Sequence, residues 1–310
     1  MRRRHPIAAY GYFLLLTCSP VASAGNGRLA SAISAVEVTI RQSGADVAVA
    51  FTTLDGRSSW YRHPDEPFHA ASTMKVPVLI ELYNQAHQGK LRLDDTLVIR
   101  NEFRSLADGS PYSLDPSDDS EADLYRAAGS TRTLAELCDL MITVSSNLAT
   151  NLLIERLGVD NIRHGVDALG ADGMQVLRGV EDSKAFQQGL NNTTTARALA
   201  LLMLAIARGK AVDPASSRAM SGILERQTFN DGIPAGLPAA TRVAHKTGEI
   251  TRIQHDAAIV YAPRPFVLVI LTRGIEDAKQ GSALIATITR QLYPATQWSG
   301  APRAAPRAQP

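Results

Sequence analysis

Strand-type sequence stands at both ends of this 310-residue chain and helix-type sequence fills its middle, and that order admits few folds. Near the start, Asp46-Val-Ala-Val-Ala-Phe51 alternates as a strand does, Asp55-Gly56 marks a turn, and Ser59-Trp60-Tyr61 reads as the returning strand. Near the end, Thr241 to Lys246, Gln254 to Tyr261 and Phe266 to Thr272 are three β-rich runs joined by short turns. Between them, apolar residues recur at helical spacing in the stretch that begins at Ser72, in Leu137-Leu140-Met141-Val144, in Leu148 to Leu157, in Asp160 to Leu169, in Thr195 to Ala207 and in Pro214 to Leu224. Leu29-Ile33-Val36-Ile40 and Ala283 to Leu292 give an opening and a closing amphipathic helix. The simplest packing is an α+β sandwich. One five-stranded antiparallel sheet is built from both chain ends and flanked by helices, with an all-helical subdomain inserted. The expected division is a sheet subdomain at 25–70 and 240–293, a helical subdomain at 71–239, and a disordered Pro-, Ala- and Arg-rich tail at 294–310. A site belongs in the groove between the two subdomains.

The first 24 residues read as an export signal. Arg2-Arg3-Arg4-His5 is a positive n-region, Ile7 to Leu16 is a short apolar stretch, and Ala22-Ser23-Ala24 is a small-x-small cleavage site. The expected location is periplasmic or secreted, with a lipoprotein reading through Cys18 as the weaker alternative because Thr17 precedes it. No apolar run is long enough for a membrane span. Cleavage at Ala24 leaves Cys138 alone, in an apolar helical pattern that suits a buried structural thiol. The 32 basic and 30 acidic residues are well mixed, which argues against nucleic acid as a partner. His63, His69, His87, His164, His245 and His255 show no metal-ligand spacing, so neither a metal nor another cofactor is expected.

Chemistry is suggested by Phe68-His-Ala-Ala-Ser72-Thr-Met-Lys75, read as a loop entering the first turn of an apolar helix. Residues three apart share a helical face, roughly 5–6 Å apart at Cβ, so a lysine amine can serve as the base that a serine nucleophile needs. A solvated Ser and Lys on an exposed turn would carry the same string. Further on, Ser145-Ser146-Asn147 interrupts two helices and Lys246-Thr247-Gly248 ends a predicted strand. Residues 104–130, crowded with Ser, Asp, Gly and Pro, read as a polar surface insertion that either covers the cleft or lies idle beside it.

Ser-x-x-Lys, Ser-x-Asn and Lys-Thr-Gly, in this order, resemble the motif set of the serine β-lactamase and penicillin-binding protein superfamily, specifically the class A β-lactamases. The resemblance spans nearly the whole mature chain. It implies Ser72 as the nucleophile, Lys75 as its base and Ser145 as the hydroxyl that passes a proton to the leaving nitrogen. It implies Asn147, Lys246, Thr247 and Gly248 in substrate binding, and an oxyanion hole from the backbone N–H groups of Ser72 and Glu249. Counting 34 residues from Asn147 reaches Glu181, in Val176-Leu-Arg178-Gly-Val-Glu181-Asp182, where the family keeps the base for deacylation. Glu181 can equally be a loop-pinning ion pair or a solvated acid. Arg178 is expected to pin that loop to an acidic partner.

The chain departs from the family pattern in five places, one of them Ala196, after Asn192-Thr-Thr-Thr195, where proline is usual. Asp182-Ser-Lys-Ala185 follows Glu181 without the expected Asn, and Arg178 precedes Glu181 by three residues rather than two. Ser146 stands where Asp is usual, and Glu249 where a small residue is usual. The implied activity is opening of β-lactam rings through a Ser72 acyl-enzyme by a monomer. The alternatives are a D-alanyl-D-alanine peptidase or esterase acting on a peptidoglycan-like substrate, and a penicillin-binding sensor that acylates without turnover. Arg252 and Arg273 are candidates for extra carboxylate affinity or are merely solvated, and His245 is expected to pack or to hydrogen-bond to backbone in preference to tuning the charge of Lys246.

Overall fold

The computed structural model describes residues 23–297; the n-region, the apolar stretch and Cys18 of the signal reading lie outside the described residues, as does nearly all of the tail. Helix α1 (Ser23–Ser43) opens the chain and runs through the expected cleavage site. Strands β1 (Asp46–Thr53) and β2 (Ser59–Arg62) follow as a hairpin. The closing strands are β3 (Val243–Ile250), β4 (Ile253–Val260) and β5 (Phe266–Arg273). They complete one antiparallel sheet in the order β2-β1-β5-β4-β3, so the two chain ends meet where β1 pairs with β5, from Asp46 opposite Arg273 to Thr53 opposite Phe266.

Alternation in β1 separates two buried faces rather than a wet face from a dry one. Val47, Val49 and Phe51 pack with Phe266, Leu268 and Ile270 against α1 and the closing helix α8 (Ala278–Leu292). Ala48 and Ala50 join Val267, Val269 and Leu271 in the other core, beneath the helical lobe. Apolar residues on both faces are what a sheet covered on both sides requires.

The lobe is built from α2 (Lys75–His87), α3 (Leu134–Thr143), α4 (Asn147–Leu157), α5 (Val159–Ala168), α6 (Ala196–Ala207) and α7 (Pro214–Leu224). Its starts and stops are legible. Thr133 and Glu136 form a capping box at α3, and Gly158, at φ 84°, closes α4. Short two-stranded pairs also lie in or beside this lobe. Thr96–Val98 pairs with Thr131–Thr133, and Phe103–Arg104 with Pro111–Tyr112. Phe68–His69, just before Ser72, pairs with Thr193–Thr194 and so ties the 170–193 loop to the base of the turn that carries Ser72. None of the helices among the described residues is long and apolar enough to cross a membrane.

Candidate functional site

Ser72 does not sit in the first turn of an α-helix. It lies in a 3₁₀ turn, Ala71–Met74, that runs directly into α2, with Lys75 as the first residue of that helix. The turn is braced from its own side and from the sheet. Thr73 donates through Oγ1 to the Ala70 carbonyl at 2.6 Å, and the Ala71 N–H donates to His69 Nδ1 at 3.0 Å. Edge strand β3 packs against it, and Gly248 marks the closest approach. A Cβ at Gly248 would stand 3.0 Å from Thr73 Cγ2 and 3.2 Å from both Ala70 O and Thr73 N. Lys-Thr-Gly therefore lies inside an eight-residue strand rather than at its end, and its glycine is the residue that lets the strand meet the turn.

The three motifs converge on one hydroxyl. Lys75 Nζ donates to Ser145 O at 2.6 Å, to Ser145 Oγ at 3.1 Å and to Asn147 Oδ1 at 2.9 Å. Lys246 Nζ reaches the same Ser145 Oγ from the opposite side at 3.0 Å and also donates to Thr247 O at 2.8 Å. Ser145 holds this place with φ 62°, in the left-handed region. Ser72 Oγ makes no hydrogen bond among the described residues. A cleft passes Ser72 in two lobes of about 570 and 490 Å³. Ser72, Asn147 and Glu249 line both lobes, Thr247 and Gly248 only the first, and Lys75 and Glu181 only the second.

A family model described as the Beta-lactamase enzyme family matches residues 28–296. The chain belongs to that family. It is 29% identical over 283 residues to a beta-lactamase of Streptomyces albus G, covering 87% of each chain. Its fold matches the crystal structure of a beta-lactamase from Sphaerobacter thermophilus at a TM-score of 0.73 and 28% identity, covering 87% of this chain and 97% of that one. It matches the structure of PBP-A at a TM-score of 0.72 and 29% identity, covering 86% and 95%.

Within this beta-lactamase-family fold, burial sets the electrostatics. Lys75 is fully buried, and loss of water brings its amine down to about 7, with the Asp119 carboxylate pulling the other way. Lys246 is held well below the ordinary lysine value by burial first and by Lys75 second. Asp119 went unnoticed in the sequence, inside what read as an idle or lid-like insertion. Its Oδ2 accepts from Asn147 N at 2.9 Å, Leu148 N at 2.8 Å, Tyr125 Oη at 2.8 Å and Ser146 Oγ at 3.3 Å, and its Oδ1 accepts from Glu121 N at 3.1 Å. The acid missing at Ser146 is thus replaced by a carboxylate from another segment, placed on the first N–H groups of α4, where a negative charge is favoured.

The rest of the insertion is clasped to the Glu181 loop. Asp182 accepts from Ser105 Oγ at 2.7 Å and Leu106 N at 2.9 Å, and also caps the turn at Ala185 N. Lys184 reaches Asp108 and Ser110, and Asp115 N donates to Glu181 Oε2 at 2.8 Å. Asn151, one turn past Asn147 on α4, takes both backbone polar groups of Val180, at 2.7 and 2.9 Å. Its position four residues on from a motif asparagine was the available signal. These contacts hold Glu181 at φ 60° with Oε1 buried and without a protein partner. Partial burial, with Asp118, Asp119 and Asp115 nearby, pushes its carboxyl upward against the Asp115 hydrogen bond.

Arg178 does not take the expected acidic partner: among the described residues it forms no ion pair, because both oxygens of Asp182 are engaged elsewhere, and it donates to Gly179 O and lies over the Phe186 ring. Arg273 is turned to Asp46 and Glu66 and stacks on Phe68, away from both lobes, while Arg252 lines the first lobe but pairs with Glu276. His245 faces Asp256 and Asn230 and does not bond to Lys246.

Proposed function

We propose that this chain is a serine hydrolase that opens β-lactam rings through an acyl-enzyme on Ser72. The observation that carries the reading is Ser145 Oγ bridged by two buried amines, Lys75 on the Ser72 side and Lys246 on the Thr247 side. With its amine near 7, Lys75 is neutral in a substantial fraction at physiological pH and can take the proton from Ser72 Oγ as the oxygen bonds to the lactam carbonyl carbon. The lactam C–N bond then breaks, and the nitrogen receives a proton through Ser145. Lys246 and Thr247 receive the substrate carboxylate, Asn147 holds its amide, and the N–H groups of Ser72 and Glu249 meet the developing oxyanion. Glu181, in the same lobe as Ser72, accepts a proton from water as the water oxygen bonds to the acyl carbon. The bond from that carbon to Ser72 Oγ then breaks, and the proton passes to Ser72 Oγ, which restores the serine hydroxyl and the Glu181 carboxylate as the product leaves. The basic and apolar segments before Ala24 support export to the periplasm or beyond the cell.

Intact-protein mass spectrometry with benzylpenicillin over time tests this directly. A transient adduct, absent in Ser72→Ala and persistent in Glu181→Ala, is the expected result, with deacylation slowed by about 10²–10⁴-fold. A persistent adduct on the unaltered protein would replace hydrolysis by slow-turnover penicillin binding, the reading favoured if Glu181 stays turned to Asp115. No adduct and no drug loss would remove the lactam reading.

A further inference from the structure

We infer that Arg178 and His69 form a second anion subsite, in the lobe of the cleft opposite Thr247, and that it takes a carboxylate on the acyl side of the substrate. Both residues line the second lobe with Ser72 and Glu181, and neither lines the first. Arg178 is only 8% exposed, yet Nη1 alone among its side-chain nitrogens reaches an acceptor, Gly179 O at 3.0 Å. Nε is buried without a protein partner, and Nη2 faces His69 Nε2 at 3.5 Å.

That last contact is between two donors. His69 Nδ1 accepts the Ala71 N–H, so the proton of the neutral ring lies on Nε2. Burial and the neighbouring guanidinium both oppose protonation of the ring. Two N–H groups therefore point toward one another with no oxygen to receive them, a costly arrangement for a buried guanidinium. An anionic oxygen placed against both relieves it, and a carboxylate matches the planar fork of arginine.

The pair is rigid. Asn192 holds Arg178 through its N–H and carbonyl at 3.1 and 3.0 Å, and His255 Nε2 donates to His69 O at 2.9 Å. His69 also lies in the short pairing with Thr193. Phe186, under the guanidinium with its ring centroid 5.3 Å from Cζ, is half exposed and offers a face to an aryl group. Apart from Lys75, the charged neighbours in this lobe are Asp118, Glu181 and Glu249. Without Arg178 the lobe would reject an anion. The ligand class that fits is a substrate whose acyl side chain bears both an aryl group and a carboxylate, as in an α-carboxybenzyl penicillin.

This inference rests on the proposed acyl transfer only for the choice of substrate. The measurement is the ratio of kcat/KM for carboxybenzylpenicillin to that for benzylpenicillin. Arg178→Gln is expected to lower the ratio about tenfold or more, and Arg178→Lys to lower it less. A ratio unmoved in Arg178→Gln, with both substrates falling together, would mean that Arg178 only braces its loop and would overturn the subsite. The second readout needs neither turnover nor a variant that folds well. Phenylmalonate should raise the melting temperature of the unaltered protein where phenylacetate does not, and equal effects would overturn the subsite. If neither penicillin is consumed or bound covalently, the lactam reading fails while the phenylmalonate comparison still decides the subsite.

Discussion

Replacing Asp119 by Asn tests whether a carboxylate from the 104–130 segment organises the second motif. An asparagine oxygen in the Oδ2 position can still face Asn147 N, Leu148 N and Tyr125 Oη, the three bonds of 2.9 Å or less. Each then changes from a charge-assisted to a neutral hydrogen bond, at a loss of about 1 kcal/mol apiece. The amide nitrogen would meet Glu121 N–H, donor against donor. A destabilisation of about 3 kcal/mol follows, or roughly 6–12 °C in melting temperature for a domain of this size. The second effect is on Lys75, where Asp119 raises an amine that burial lowers. Without that carboxylate the Lys75 amine falls further from the ordinary lysine value than about 7. The neutral base then survives to lower pH, and the acidic limb of the acylation rate shifts to lower pH. Calorimetric melting and a pH profile of acylation measure the two effects independently. A variant that melts within 1 °C of the unaltered protein and keeps its acidic limb would refute the assignment.

Two further outcomes follow from the same geometry. Gly248→Ala places a methyl against Thr73 and Ala70 backbone, so β3 must move from the Ser72 turn; a stability loss of about 1–3 kcal/mol and at least a tenfold fall in acylation are expected, read by melting and by adduct formation. Glu181→Gln should raise the melting temperature near neutral pH. The folded carboxyl titrates above its unfolded value, so the folded state loses stability as pH rises through the folded pKa, and the gain should vanish below the unfolded value near 4.5; a gain that persists at that acidity would contradict the assigned origin.

The sheet was legible because β1 and β5 carry apolar residues in unbroken runs, and the helical lobe because Thr133, Glu136 and Gly158 announce its boundaries. Ser72, Lys75, Ser145 and Lys246 were legible as spaced strings, although Lys75 aims at Ser145 and Asn147 rather than at Ser72. Asp119 was hidden because its partners in the second motif lie 27 to 29 residues further on, and a lone aspartate among Ser, Asp and Pro looks like any loop acid. The free guanidinium of Arg178 was hidden for the converse reason. Sequence places Asp182 nearby but cannot show that Ser105, Leu106 and Ala185 have already claimed its oxygens.

Among the described residues, five other than glycine have positive φ, and four of them, Ala71, Ser145, Glu181 and Arg252, line the cleft around the proposed nucleophile. A left-handed conformation costs an ordinary residue about 1–2 kcal/mol, so the fold holds the four against their own preference. A laboratory population selected for heat resistance alone would find easy gains at these positions, in glycine at each and in asparagine at Ser145. Such a population would keep its fold while its catalytic wall dissolved, and only a selection that also demands turnover would hold these side chains in place.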